Sequence, residues 1–253
     1  MDHIKAFLWR GALAGVIAGG VASLFQLTVT EREIRAALAF EEVPLHDHGA
    51  HHAAEEMFSR STQVVGGMLA VVLYGLCLGV VFAFALALVA RRIDGATWFA
   101  RAIKLAALLF VGWVLIPQLK YPANPPAVGD PETVGQRTAS YGALLVIGLV
   151  VVFGALWLWH WASERGLEEI TRFVVVAGVA IAAVGVAYVV LPAAPDQNAL
   201  PADLIWRFRV ESLATNAILW IGIATGFGWL ARGRADRQVD APVDITAPIS
   251  SIT

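Results

Sequence analysis

Charged residues are scarce in this chain: Asp, Glu, Lys and Arg make up 15% of 253 residues, while 58% are hydrophobic. Soluble domains carry about a quarter charged residues, so a water-facing globule of this length would lack the surface charge it needs. The few charges are also segregated. Long apolar stretches alternate with short charged connectors, and mean hydropathy reaches +0.68. That alternation marks a chain that crosses a membrane repeatedly, with lipid as its principal surroundings. Cysteine is nearly absent. Cys77 stands alone, which excludes an intramolecular disulfide, and its apolar setting suits a small packed hydrophobe. The net charge is −2 and no dense Lys/Arg run occurs, so no nucleic-acid partner is indicated. Walker A, HExxH and GxSxG patterns are missing as well, and nothing points to an enzyme.

A spanning helix needs roughly 20 mainly apolar residues, because a ~30 Å hydrocarbon core is crossed at 1.5 Å per residue. On that rule an all-α membrane protein of about six transmembrane helices is expected, with spans near 7–29, 64–90, 102–118, 139–161, 171–191 and 210–231. Pro117 limits the third. The apolar stretch from Gly11 to Val29 exceeds the 7–15 residues of a signal-peptide core, so the first span should be retained. With both termini in the cytoplasm, the inner side carries Lys5, Arg10, Arg91, Arg92, Arg101, Lys104, Arg165, Arg172, Arg232, Arg234 and Arg237, which is eleven. The outer side then carries seven: Arg32, Arg35, Arg60, Lys120, Arg137, Arg207 and Arg209. The bias favours that orientation. The spans then form three hairpins closed by outer loops 30–63, 119–138 and 192–209, within one helical domain over 1–231. The later two loops are Pro-rich and run into the polar helix starts "GQRTAS" and "RFRVES", as either a weak internal repeat or simply two proline-ended helices. The tail 232–253 lacks periodicity and is expected to be disordered.

Gly11, Gly15, Gly19 and Ser23 recur every fourth residue on the first span, as Gly75 and Gly79 do on the second. Small residues at that spacing allow close helix approach. The first outer loop is the chemically richest segment. Four of six histidines, His46, His48, His51 and His52, fall within seven residues, interleaved with Asp47 and followed by Glu55 and Glu56. Imidazole plus carboxylate forms a borderline ligand set suited to Co, Ni, Cu or Zn; the plainer reading is a solvated loop titrating near neutrality. Ahead of it, "EREIRAALAF" has the apolar spacing of an amphipathic helix. His3 and His160 read as bystanders, the latter an interfacial anchor. Polar residues collect at outer span ends: Gln26 and Glu31 close the first span, and Glu211, Ser212, Thr215 and Asn216 open the sixth on one helical stripe. They are candidates for an ion pathway or for plain inter-helix hydrogen bonds, and Glu211 could pair with Arg207 at i,i+4.

The order of these pieces resembles the CbtA family, predicted cobalt transporter subunits of bacteria. The resemblance rests on "SLFQLTVTE", "HDHGAHHAAEE", "GWVLIPQLKYPANPP" and "LPADLIWRFRVESLATNAILWIGIATGFGWL". One departure is that Glu31 is followed by Arg32, where the family usually has proline. The resemblance implies an inner-membrane subunit of a divalent-metal uptake system, with cobalt, nickel or zinc as cargo and a small one-span His-rich partner. A non-transporting scaffold subunit of a larger membrane complex is the competing expectation. A permease should offer a polar route to mid-membrane, whereas a scaffold need not.

Overall fold

The computed structural model describes residues 2–41, 59–125, 133–193 and 200–232. Within them the chain is helical: α1 (Asp2–Phe25), α2 (Glu31–Glu41), α3 (Arg60–Val89), α4 (Trp98–Leu109), α5 (Ile116–Lys120), α6 (Val134–Glu164), α7 (Glu169–Val190) and α8 (Ala202–Leu230). A π-helical turn, Gln26–Thr30, joins α1 to α2, and a second, Phe110–Leu115, joins α4 to α5. Counting these joined pieces as single rods gives six helices long and apolar enough to cross a membrane.

The rods outrun the apolar stretches that announce them. The first continues through its π turn to Glu41, because Arg32, unlike proline, keeps its N–H and lets the helix continue into the amphipathic segment. The third passes through Pro117 instead of stopping there. Proline lacks a donor and crowds the carbonyl four residues back, and the wider π turn just upstream relieves both.

Packing is organised around α1, which has two small-residue faces. Gly11, Gly15 and Gly19 lie against Gly75, Gly79 and Val72 of α3, with backbone meeting backbone. Ala14 and Ala18, three residues out of phase with the glycines, lie against Gly226 and Gly222 of α8. The shared core then fills with Leu78, Phe82 and Leu86 of α3, Leu105 and Leu109 of α4, and Trp220, Ile223 and Phe227 of α8. On the far side, α6 packs on the second π turn and α5, with Gly112 against Gly148, and α7 packs on α6. Although α8 follows α7 in the chain, it packs chiefly on α1 and α4, whereas α7 packs on α6; consecutive helices therefore belong to two parts of the bundle. The apolar residues on the outside, such as Val189, Ile181 and Ile170 of α7, are those a lipid-facing surface requires.

The two ends of the bundle can be told apart by contacts. At one, the Phe7 ring lies 5.2 Å from Trp98 and 4.8 Å from Phe227, gathering the start of α1, the start of α4 and the end of α8. At the other, α2 packs through Ala37 on Leu200, Leu204 and Ile205, and Tyr121 donates to the Pro192 carbonyl at 2.6 Å. Glu31, Arg60, Tyr121, Pro192 and Leu200 all lie toward this second end.

Candidate polar pathway

The metal-loop residues His46, Asp47, His48, His51, His52, Glu55 and Glu56 lie outside the described residues, as does the tail from 233. Among the described residues, no three His, Cys, Asp or Glu side chains come together in a way that could hold a metal ion. The polar groups that do converge form two cavities at the loop-bearing end.

The smaller cavity, about 210 Å³, lies between the first π turn and the start of α3 and is lined by Ser23, Gln26, Glu31, Arg60 and Gln63. Ser59 begins α3 as its N-cap, accepting from the Thr62 amide, and so sets Arg60 in the first turn. There Arg60 grips the nearly buried Glu31 carboxylate with both Nη2 contacts at 2.9 Å and adds Nε at 3.2 Å. Arg35, one turn along α2, donates its Nε to the same Oε1 at 3.0 Å. Two guanidiniums therefore saturate Glu31, and Arg60 Nη1 also reaches Gln63 Oε1 at 3.0 Å. A carboxylate so held ties the helical extension above α1 to α3. The substitution Glu31→Gln is expected to destabilise the protein by about 2 kcal/mol, since charge-assisted bonds are lost and Arg60 is left in a partly buried place. Denaturant melting of Glu31→Gln, Arg60→Gln and the double variant checks this; the double should cost less than the sum of the singles.

The larger cavity, about 610 Å³, opens between α3, α5, α6 and α8. Asn124 and the first turn of α6, with Arg137 and Thr138, form its rim, while Gln118, Tyr141, Ser212 and Asn216 line its wall. Its floor is Tyr74, halfway along α3, roughly 20 Å down that helix at 1.5 Å per residue. The Tyr74 hydroxyl accepts from Trp113 Nε1 at 3.0 Å, so the second π turn presents its indole to this floor. Arg209 closes the rim by donating Nη2 to Asn124 Oδ1 at 2.9 Å.

The polar stripe at the start of the sixth span is divided by this geometry. Ser212 and Asn216 line the large cavity, while the Asn216 amide donates back to the Ser212 carbonyl at 2.9 Å. Thr215 donates to the Glu211 carbonyl at 2.9 Å. Glu211 itself faces Thr30 of the first π turn, side chain to side chain, with its Oε2 and the Thr30 hydroxyl both shielded from solvent. Arg207 turns toward Asp203 instead, at 4.0 Å. Adjacent residues on a helix diverge by about 100°, so one stripe in sequence serves two neighbouring surfaces.

Sequence reasoning did not single out Arg60, Tyr74, Trp113, Asn124, Arg137 or Arg209. Arg137 and Arg209 stand in "GQRTAS" and "RFRVES", so the polar helix starts were their signal, read there only as charge. Tyr74 has no such signal beyond a hydroxyl in an otherwise apolar span.

Six rods long and apolar enough to cross a membrane, four of which line an open polar cavity reaching Tyr74 halfway along α3, define a polytopic α-helical membrane protein. The chain belongs to the CbtA family, described as "Probable cobalt transporter subunit (CbtA)", which matches residues 4–232. No curated protein and no solved structure matches it.

Proposed function

We propose that this chain is the membrane-embedded subunit of a divalent-metal uptake system, with cobalt as cargo, in the bacterial inner membrane. The observation that carries this reading is the 610 Å³ polar cavity descending to Tyr74. A scaffold has no need of a wet passage to mid-bundle, where uncompensated polar groups are costly. In this reading the loop-bearing end faces outward and both termini are cytoplasmic. His46, Asp47, His48, His51, His52, Glu55 and Glu56 collect ions above the cavity. Ser212, Thr215 and Asn216 belong to its wall and the adjoining helix face, and Gln26, Glu31 and Glu211 flank the π turn beside it. A small one-span His-rich subunit is the expected partner; co-purification of a large redox assembly instead would favour a scaffold.

Orientation is checked by reporter fusions after residue 50 and after residue 237, which are expected on opposite sides of the membrane. Reporters on one side would overturn the topology. The collecting role is checked by replacing the four loop histidines with Ala together. Imidazole ligands must be neutral to bind, so metal binding to this loop should weaken below about pH 6.5. The quadruple variant is expected to lose several-fold in accumulation at limiting cobalt and to keep its order of preference among Co, Ni and Zn. An altered preference would instead make the loop the filter. Comparing metal accumulation in cells with and without the protein tests the uptake function itself.

A further inference from the structure

The lining of the large cavity is the wrong chemistry for a bare dication. Among the described residues it contains no carboxylate, imidazole, thiol or thioether, the groups that replace water around a borderline metal ion. What it contains is amides, hydroxyls and a guanidinium. Arg137 lines the rim with no ion pair or hydrogen bond among the described residues, and its Nε is buried without a partner. Arg209, bonded to Asn124, adds a second guanidinium at the same rim, its Nε likewise buried and without a partner among the described residues. The positive dipole end of α6 faces the cavity through Arg137 and Thr138. Lys120 stands nearby, donating to the Tyr188 carbonyl at 2.6 Å. Every formal charge around this opening among these residues is therefore positive, and each repels a free dication in surroundings of low dielectric.

The same groups suit carboxylates. Guanidinium forks bind them in bidentate fashion, and the hydroxyls of Thr138, Tyr141 and Ser212 with the amides of Gln118 and Asn216 can donate to further oxygens. Size agrees. Six waters occupy about 180 Å³ at ~30 Å³ each, so a 610 Å³ cavity has room for an ion together with an organic chelator.

We propose that this cavity is a binding site for a small polycarboxylate anion, centred on Arg137, and that metal enters it sheathed in such carboxylates. The inference rests on the uptake reading and adds the form in which the cargo arrives. Carboxylate oxygens supply the recognition in either case, whether the anion comes alone or wrapped around a metal ion. The outer histidines and the cavity then act on different species: the loop concentrates metal, and the cavity admits its anionic complex.

The test is equilibrium dialysis of the full chain in phosphatidylcholine nanodiscs, which offer no net-anionic headgroup to compete. Radiolabelled citrate, the cobalt(II)–citrate complex and cobalt(II) chloride without chelator are each compared on wild type, Arg137→Lys and Arg137→Gln. Citrate or its cobalt complex is expected to bind wild type, to weaken at least tenfold in Arg137→Gln and to recover largely in Arg137→Lys. The arm that binds more tightly identifies the source. Cobalt chloride alone is expected to be indifferent to residue 137. Equal citrate and complex binding in wild type and in a well-folded Arg137→Gln would overturn the proposal. So would cobalt chloride that binds wild type as tightly as the citrate complex does and loses that binding in Arg137→Gln. Cellular uptake separates the two readings: cobalt accumulation unchanged by loss of the whole protein refutes the uptake function, while accumulation that needs the protein but ignores both chelator and Arg137 refutes the anion site alone.

Discussion

Gly15→Leu is expected to yield no stably folded protein. At residue 15 a Cβ would land on the Gly75 carbonyl oxygen, and from the other side a Cβ on Gly75 would sit 2.9 Å from the Gly19 Cα. Overpacking a core with an extra side chain costs about 1–3 kcal/mol when neighbouring side chains can move aside. Here the obstacle is backbone, so relief requires α1 and α3 to separate along the whole seam of Gly11, Gly15 and Gly19. Because Ala14 and Ala18 seat α8 on the adjoining face of α1, that separation also loosens the third partner. The loss should exceed about 3 kcal/mol and appear as aggregation in gel filtration and a collapsed yield. Gly20→Leu is the control: nothing lies within 4 Å of a Cβ there, and that variant is expected to behave as wild type. Equal behaviour of the two variants would refute the seam.

Much of this arrangement was legible before any coordinates. Span number followed from length and charge segregation, since hydrocarbon imposes both. The glycine faces of α1 and α3 followed from a four-residue period, since only residues on one helical face can recur that way, but that the two faces meet each other did not. The helical extension past the first span followed from the apolar spacing of "EREIRAALAF". What could not be read is what depends on pairing between distant segments. Glu31 and Arg60 are 29 positions apart, and no local pattern announces their contact. The large cavity draws on α3, α5, α6 and α8, so its contents are fixed by which helices become neighbours. That α8 seats on α1 and α4, and α7 on α6, depends on side-chain fit along whole helices. The same pairing separates Glu211 from Ser212 and turns two arginines counted for orientation into the rim of a cavity.

The second large effect is expected inside that cavity. Asn216 lines the wall, yet its amide bonds to its own helix at the Ser212 carbonyl and, among the described residues, to no neighbouring helix. Asn216→Trp should therefore fold while its indole fills the passage above Tyr74. Val210, exposed on the same helix, provides the matched control as Val210→Trp. If the polar cavity is the route of uptake, the expected fall is at least tenfold, equivalent to about 1.4 kcal/mol or more on the rate-limiting passage. The deciding measurement is radiolabelled cobalt accumulation, at equal membrane levels of protein, in cells carrying wild type, Val210→Trp or Asn216→Trp. The cavity route predicts wild-type accumulation for Val210→Trp and, for Asn216→Trp, the level of cells lacking the protein. Wild-type accumulation through Asn216→Trp would contradict it.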